Sequence, residues 1–197
     1  MITILIIILT CFISFTAFNR NDFFAKFQFN PYRVYKSKEW YRIITHGFLH
    51  ADYTHLIFNM FTLFFFGRLV EYAIGKLFFI ILYISAICIA SLTTLIKHKN
   101  NYLYNSVGAS GGVSAIVFAS ILFSPIEIIY LYFIPIPGFI FAILYLLYSH
   151  YMSKRNQDNI NHDAHLLGAI YGFLFPLIID IENINYFFYA LFGFKII

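Results

Sequence analysis

The chain has 197 residues, of which 61% are hydrophobic and only 11% charged, and its net charge is +4. A soluble domain carries about 25% charged residues, so this composition excludes an ordinary water-soluble protein and indicates an integral membrane protein. The length fits one domain over residues 1–197. The positive charge is spread over short loops without interleaved aromatics, which argues against nucleic-acid binding.

Six apolar runs predict six membrane-spanning helices, because about 20 such residues cross a bilayer. The predicted spans are Met1–Phe18, Leu56–Val70, Leu77–Ile96, Val107–Phe123, Ile126–Tyr148 and Ala164–Ile179. A signal peptide is the alternative for the first run, but that run lacks a basic start and a small-residue cleavage site. Pro135 and Pro137 are expected to kink the fifth span or to break its first half. The predicted fold is an all-α, polytopic helix bundle.

Two further segments do not span. Residues 19–53 include "FNPYRVYKSKEWYR", whose turn formers, aromatics and charges predict a folded first loop at the membrane interface. The short apolar tail at residues 184–197 is expected to pack along the surface or against a neighbouring helix. Cys11 and Cys88 lie inside apolar runs, which is typical of buried packing rather than of a disulfide or a metal site.

Unusual polar residues stand at the starts of the second, fourth and sixth spans. Consecutive spans alternate in direction, so these three starts lie on the same side of the membrane. They carry His55 and Asn59, then Ser110, then His165. Three distant parts of the chain are therefore predicted to converge on one site.

Ser110 lies in the small-residue stretch "NSVGASGGVSAI". A lone serine in a membrane helix usually packs, with its hydroxyl bonded to the i−4 carbonyl. Here Asn105 and Ser106 are predicted helix caps, which puts Ser110 in a first turn whose free N–H groups attract negative charge. Gly108 and Gly111 leave room for an extended peptide backbone to approach the hydroxyl.

One stripe of the sixth span carries His165, Gly168 and Gly172, at i, i+3 and i+7. A G-x-x-x-G face packs closely on another small-residue face. The fourth span offers such a face at Gly111, Ser114 and Ala115.

Close packing of these two spans would bring His165 within hydrogen-bond reach of Ser110. An imidazole there can accept the hydroxyl proton and later return it to a leaving amine. Asp163 lies on a different face of the helix, where it suits the helix dipole. We therefore predict a Ser–His dyad rather than a triad.

His55 and Asn59 share one face of the second span, at i and i+4. One interpretation is that they satisfy each other or the neighbouring loops. The other is an oxyanion hole, in which both side chains and the backbone N–H of Ser110 stabilise the charge built up in acyl transfer.

The histidines of "HGFLHADYTH" have an alternative interpretation as a metal site. His46 and His50 have the spacing of a zinc-binding helix, with His55 as a third ligand. A zinc peptidase of the H-E-x-x-H type needs a glutamate where Gly47 stands. We therefore interpret these histidines as hydrogen-bonding anchors and predict no metal.

Taken together, the chain resembles the rhomboid family of intramembrane serine proteases. The matching strings are "THGFLHADYTHLIFNM", "FFGRLVEYAIG", "GASGG" and "AHLLGAIYG", in family order over about residues 39–180 after a first span. The roles that the resemblance implies are nucleophile for Ser110, general base for His165, oxyanion stabilisation for His55 and Asn59, structural support for His46 and His50, and packing or hydrogen bonding for Gly67 and Glu71. It implies no metal or organic cofactor.

The chain departs from the family pattern at two places. An aromatic commonly lies four residues after the nucleophile and packs on the catalytic histidine, whereas this chain has Ser114, so support for the ring must come from elsewhere. The family often has adjacent Trp and Arg in the first loop, whereas Tyr41 separates Trp40 from Arg42.

The resemblance implies cleavage of transmembrane helices of other membrane proteins, in the bacterial plasma membrane, with the opening facing outward. Most of the 13 Lys and Arg residues lie on that outward side, against the positive-inside rule. Six of them are in the first loop, and we expect a folded loop to supply partners for these charges.

Two alternative functions are open: a rhomboid-like protein that binds helices without catalysis, and a transporter. A transporter predicts paired broken helices and internal repeats, which the sequence lacks.

Overall fold

The structure, a computed structural model, describes residues 1–131, 133–155 and 160–196. The helices are α1 (Ile2–Phe18), α2 (Asn21–Phe27), α3 (Pro31–Ser37), α4 (Arg42–Thr45), α5 (Tyr53–His98), α6 (Ser110–Phe123), α7 (Gly138–Arg155), α8 (His162–Ile179) and α9 (Ile184–Phe192). Short 3-10 helices are formed by His46–Phe48 and Ile181–Asn183, and the strands are β1 (Ile128–Leu131) and β2 (Ile134–Pro137).

Helix α6 lies at the centre of the molecule, and its residues 111–122 are all buried. Small residues let its neighbours approach. A Cβ at Gly112 would lie 3.1 Å from the Tyr83 ring of α5, and a Cβ at Gly111 would lie 2.4 Å from Cβ of Ala90. Close packing therefore holds the first turn of α6 in a fixed position relative to α5.

Helix α5 contains a break at Gly75, where φ is +79° and ψ is 163°. The break falls between the predicted second and third spans, so α5 contains both. By length and apolar composition, α5 and α8 can each cross a membrane, while the apolar helices α1 and α6 are shorter. The count of six spans stays a prediction.

The first half of the predicted fifth span, Ile126–Tyr148, is not helical, and the all-α expectation is wrong there. β1 and β2 pair as an antiparallel hairpin in which Ile129 lies opposite Ile136. Pro135 and Pro137 cannot donate to a helix, whereas a two-stranded hairpin leaves an edge that tolerates proline. Helix α7 then begins at Gly138, directly after the second proline.

The first loop is folded, with α2, α3 and α4 following one another between α1 and α5. Its connection to α6 is an antiparallel bridge in which Phe29 and Ser106 exchange two backbone hydrogen bonds of 3.0 Å. The prediction that Asn105 and Ser106 cap α6 is wrong, because Ala109 occupies the N-cap position. Asn105 instead accepts a hydrogen bond from the Asn30 amide at 3.0 Å.

The C-terminal tail packs against neighbouring helices, which is one of the two arrangements expected from the sequence. In α9, the Tyr186 ring lies 5.6 Å from that of Phe123 in α6, and Phe187 lies 5.5 Å from Phe173 in α8. Cys11 and Cys88 are free and partly buried.

Candidate active site

Ser110 is the first residue of α6. Its N-cap, Ala109, has no side-chain group to cap the helix, so the first N–H groups remain available to a ligand. Gly108 adopts a φ of +128°, which favours glycine, and a Cβ there would lie 2.9 Å from Nε2 of His55 and 3.8 Å from Oγ of Ser110. The absence of a side chain at Gly108 thus allows the His55 ring to lie beside Ser110.

The start of α8 is capped by Asn161. Its side chain accepts the N–H of Ala164 at 3.1 Å and donates to the Thr94 hydroxyl of α5 at 2.7 Å. This cap, which the sequence analysis missed, has a recognisable signal, because Asn is a preferred N-cap residue. It places His165 in the first turn of α8 and fastens that turn to α5.

Asp163 joins three helices rather than acting on the helix dipole alone. Its carboxylate accepts from Nζ of Lys97 in α5 at 2.5 Å and from the hydroxyl of Ser153 in α7. These bonds occupy both carboxylate oxygens at the rim of the site.

Helices α6 and α8 are in backbone contact along the stripe of small residues. A Cβ at Gly168 would lie 2.2 Å from the carbonyl oxygen of Gly111, and a Cβ at Gly172 would lie 2.1 Å from that of Ala115. No side chain fits at either glycine without moving the facing backbone. The spacing of these glycines predicts this contact.

One open cavity of about 1340 Å³ brings the predicted site residues together. Ser110, His165, His55 and Asn59 all contribute to its lining. They come from the starts of α5, α6 and α8, as the alternation of spans predicts. A second cavity of about 20 Å³ also contacts Ser110 and has room for about one water.

Asn59 and Glu71 also have hydrogen-bond partners within the protein. Asn59 donates one amide hydrogen to the carbonyl oxygen of His55 at 3.0 Å. An amide nitrogen carries two hydrogens, so one donor is left for the cavity. Glu71 lies away from the cavity lining and accepts hydrogen bonds from the first turn of α1.

His46 and His50 each pair with a serine of a neighbouring helix. The hydroxyl of Ser91 donates to the carbonyl of Ile87 at 2.9 Å, so its oxygen accepts from Nε2 of His46, also at 2.9 Å. The hydroxyl of Ser14 donates to a first-loop carbonyl, so it accepts from Nδ1 of His50 at 3.0 Å. Both histidines tie the loop before α5 to the helices around it.

Burial keeps both of these histidines neutral. Desolvation lowers the pKa of His46 to about 4. Desolvation, followed by the neighbouring His55, lowers the pKa of His50 to about 3. Within residues 1–131, 133–155 and 160–196, no three His, Cys, Asp or Glu side chains are grouped so as to hold a metal ion.

Tyr145 of α7 is a cavity residue that the sequence analysis missed. Its ring stacks beside that of His165, with centroids 6.4 Å apart and planes inclined by 24°. Its hydroxyl lies 2.7 Å from Oγ of Ser114. A tyrosine in a chain with 16 of them carries no sequence signal for this role.

The fold and site define a helical membrane protein in which a serine and a histidine line one open cavity. A family model described as the Rhomboid domain matches residues 37–180, so the chain belongs to the rhomboid family. The family is generally one of serine intramembrane proteases, and membership makes this chain an integral membrane protein.

Curated relatives come from a bacterium and a plant. The chain is 33% identical over 143 residues to the Bacillus subtilis (strain 168) protein named "Putative rhomboid protease YdcA", covering 69% of this chain and 65% of that protein. It is 28% identical over 178 residues to "RHOMBOID-like protein 12, mitochondrial" of Arabidopsis thaliana, covering 80% of this chain and 52% of the relative. The chain thus spans about half to two thirds of the length of these two relatives.

Proposed function

We propose that the chain is an intramembrane serine endopeptidase that hydrolyses peptide bonds in or near transmembrane helices of other membrane proteins. The observation that carries the proposal is the shared lining of one open cavity by Ser110, His165, His55 and Asn59. Ionisable and polar groups are costly at such a place, and their gathering there favours a functional site.

In the proposed reaction, the Ser110 hydroxyl attacks the substrate carbonyl carbon while His165 accepts its proton. The tetrahedral intermediate collapses when His165 returns that proton to the leaving amine, which departs and leaves an ester on Ser110. A water then attacks the ester with His165 as base, releasing the acid product and regenerating the hydroxyl. The net change is one peptide bond and one water converted to an amine and an acid.

The oxyanion of each intermediate is proposed to lie between the first turn of α6 and α5. The close approach of His55 to Gly108 beside Ser110 supports this position. The donors are the backbone N–H of Ser110, the ring N–H of His55 and the second amide hydrogen of Asn59. Removing one such fixed donor from an oxyanion hole costs about 3 to 4 kcal/mol of transition-state stabilisation.

The proposed substrate is a membrane-spanning helix that unwinds locally. A helical peptide bond has its carbonyl engaged in the helix, so small or helix-destabilising residues near the membrane boundary lower the cost of exposing it. The cavity is open and lies at the starts of three helices, which favours an extended segment as the bound form.

We propose six spans in the bacterial plasma membrane, with the cavity opening outward. The positive-inside rule opposes this orientation, which we take from the family resemblance; some of the first-loop cations are engaged within that loop. Arg20 pairs with Asp22 at 3.0 Å, Arg42 pairs with Glu39, and Lys38 lies over the Trp40 ring at 5.7 Å.

The test uses the purified chain in liposomes with a panel of single-span substrates, product mass spectrometry, and labelling by a serine-reactive fluorophosphonate. Ser110→Ala and His165→Ala are each expected to abolish cleavage and labelling while the protein stays folded. Matched controls are Ser120→Ala, a buried serine bonded to the Val117 carbonyl, and His150→Ala, an exposed histidine of α7.

Both control variants are expected to cleave normally. Normal turnover by folded Ser110→Ala would end the nucleophile assignment. Binding of helices without any cleavage or labelling would instead support the non-catalytic alternative that the sequence left open.

A further inference from the structure

The imidazole of His165 faces an aromatic ring from a third helix. Tyr145 comes from α7, whereas Ser110 begins α6 and His165 lies in the first turn of α8. The two rings are stacked with an interplanar angle of 24° and centroids 6.4 Å apart. This distance lies within the range of about 4.5–7 Å in which paired aromatic rings attract each other.

Tyr145 itself is held from two directions. Its ring packs on Phe118 of α6, with centroids 5.4 Å apart, and on Phe141 one turn earlier in α7, at 5.6 Å. Its hydroxyl hydrogen-bonds with Ser114, whose side chain is buried. The ring plane and the distal oxygen are therefore both fixed by neighbours.

Ser114 lies one helical turn after Ser110 on α6, so the residue that orients Tyr145 and the proposed nucleophile share a helix face. The residue at position 114 leaves room for this contact. Position 114 carries no aromatic that could pack on the histidine from α6 itself. The hydroxyl of Ser114 is short enough to admit a ring from α7 into that space and polar enough to bond with it.

We propose that Tyr145, oriented by Ser114, is a positioning residue that holds the His165 imidazole toward Ser110. This inference rests on the proposed protease function. A general base acts only when its ring nitrogen is within hydrogen-bond reach of the hydroxyl, and a ring stacked on its face restricts rotation away from that geometry. The base is then positioned by three helices, α6, α7 and α8, rather than by the α6–α8 contact alone.

The ring and the hydroxyl of Tyr145 have different proposed roles, which two substitutions distinguish. Tyr145→Leu removes the stacked ring and is expected to lower kcat about 10- to 100-fold with KM changed less than about twofold, as misplacement by about 1 Å does. Tyr145→Phe keeps the ring but loses the bond to Ser114, so it should lower kcat only a few-fold and thus rescue most of the loss. Ser114→Ala should match Tyr145→Phe.

The double variant Ser114→Ala/Tyr145→Phe should be no slower than either single variant, because both remove the same hydrogen bond. The matched control is Tyr151→Leu, which alters an exposed tyrosine of the same helix that stacks on Arg155. It should keep wild-type kcat and KM. All variants are compared in liposomes with one single-span substrate, and their folding is checked by thermal unfolding.

Each outcome decides the proposal. A folded Tyr145→Leu variant with wild-type kcat, or with raised KM and unchanged kcat, overturns it. If Tyr145→Leu does not fold, the Phe and Ala variants decide, and losses that multiply in the double variant overturn the link to Ser114. A wild-type chain that neither cleaves nor labels at Ser110 overturns the protease function and this inference together. If the wild type is active, a failed prediction for the Tyr145 variants overturns this inference alone.

Discussion

Glu71 of α5 caps the first turn of α1 through Thr3. One carboxylate oxygen accepts both the backbone N–H of Thr3 at 2.9 Å and its hydroxyl at 2.7 Å, and the other accepts the N–H of Ile2 at 2.8 Å. The first N–H groups of a helix have no partner within it. The cap is delivered from 68 residues away, and it fixes α1 on α5 where Gly67 leaves room for the Thr3 side chain.

Replacing this cap is expected to loosen α1. Glu71→Ala leaves three buried or partly buried donors without their acceptor, which should lower the free energy of unfolding by about 2–3 kcal/mol. Glu71→Gln keeps one acceptor oxygen and should cost less. Denaturant unfolding in detergent micelles, followed by circular dichroism, measures both, with the exposed Glu182→Ala as control. Equal stability of the Glu71 and Glu182 variants would contradict the capping role.

The contact between α6 and α8 predicts a graded response to added methyl groups. At Gly168 and Gly172 a Cβ would lie 2.2 and 2.1 Å from backbone oxygens of α6, whereas at Gly138 it would lie 3.1 Å from the oxygen of Pro125. Overpacking costs about 1–3 kcal/mol where side chains can adjust, and backbone adjusts less. Gly168→Ala and Gly172→Ala should therefore destabilise by about 3 kcal/mol or more and abolish cleavage, while Gly138→Ala should have a much smaller effect. Thermal unfolding and cleavage assays would contradict this if all three variants behaved alike.

The neutral histidines of the loop before α5 predict loss of stability in acid. Burial lowers the pKa of His46 to about 4 and that of His50 to about 3, against about 6.5 in the unfolded chain. Below pH 6.5 the unfolded state therefore binds more protons than the folded state. The stability that depends on these neutral histidines is fully present above pH 6.5. It is lost as the pH falls toward 4 for His46 and toward 3 for His50. Each histidine adds about 1.4 kcal/mol per pH unit to the slope within its window.

Unfolding free energies at several pH values between 7.5 and 4 measure this slope. The double variant His46→Gln/His50→Gln should show a flatter dependence on pH than the wild type, even if it is less stable at pH 7.5. The exposed His150→Gln is the matched control and should keep the wild-type slope. An unchanged slope in the double variant would mean that other groups cause the acid sensitivity.

The gathering of polar residues at one cavity could be anticipated from the sequence, because the pattern that predicts it is local. His55, Ser110 and His165 each stand at the start of an apolar helix, and alternate helices begin on one side. The contact at Gly168 and Gly172 also follows from spacing along a single helix. In each case, periodicity within one segment carries the information.

Pairings between helices could not be anticipated in this way. Ser114 and Tyr145 lie 31 residues apart, and no spacing rule connects them. The β1–β2 hairpin was missed because a short apolar run such as "IIYL" suits a strand or a buried helix equally. The predicted caps of α6 failed for a related reason, since Ser106 pairs with Phe29 of the distant first loop.

The buried arginine of the first loop anchors that loop from within. The guanidinium of Arg42 donates to Glu39 at 2.5 Å and to the backbone carbonyls of Ala25 and Gln28 at 3.0 and 2.7 Å. Its side chain is only 1% exposed. Separation of Trp40 from Arg42 by one residue therefore leaves the anchoring of the loop intact, because the contacts are made by the arginine itself.

The two ion pairs in this loop should differ in how much their loss destabilises the loop. Arg42→Ala removes a buried charge and leaves two carbonyls and Glu39 without their donor, so it should destabilise the loop by about 3 kcal/mol and speed its cleavage by trypsin. Arg20→Ala removes an exposed pair with Asp22, whose side chains are 60% and 72% exposed, and exposed pairs contribute little. Limited proteolysis in micelles should therefore show rapid loop cleavage in the Arg42 variant and wild-type resistance at the remaining sites in the Arg20 variant. Equal cleavage rates in the two variants would mean that the aromatic and helical contacts of α2 and α3 hold the loop without Arg42.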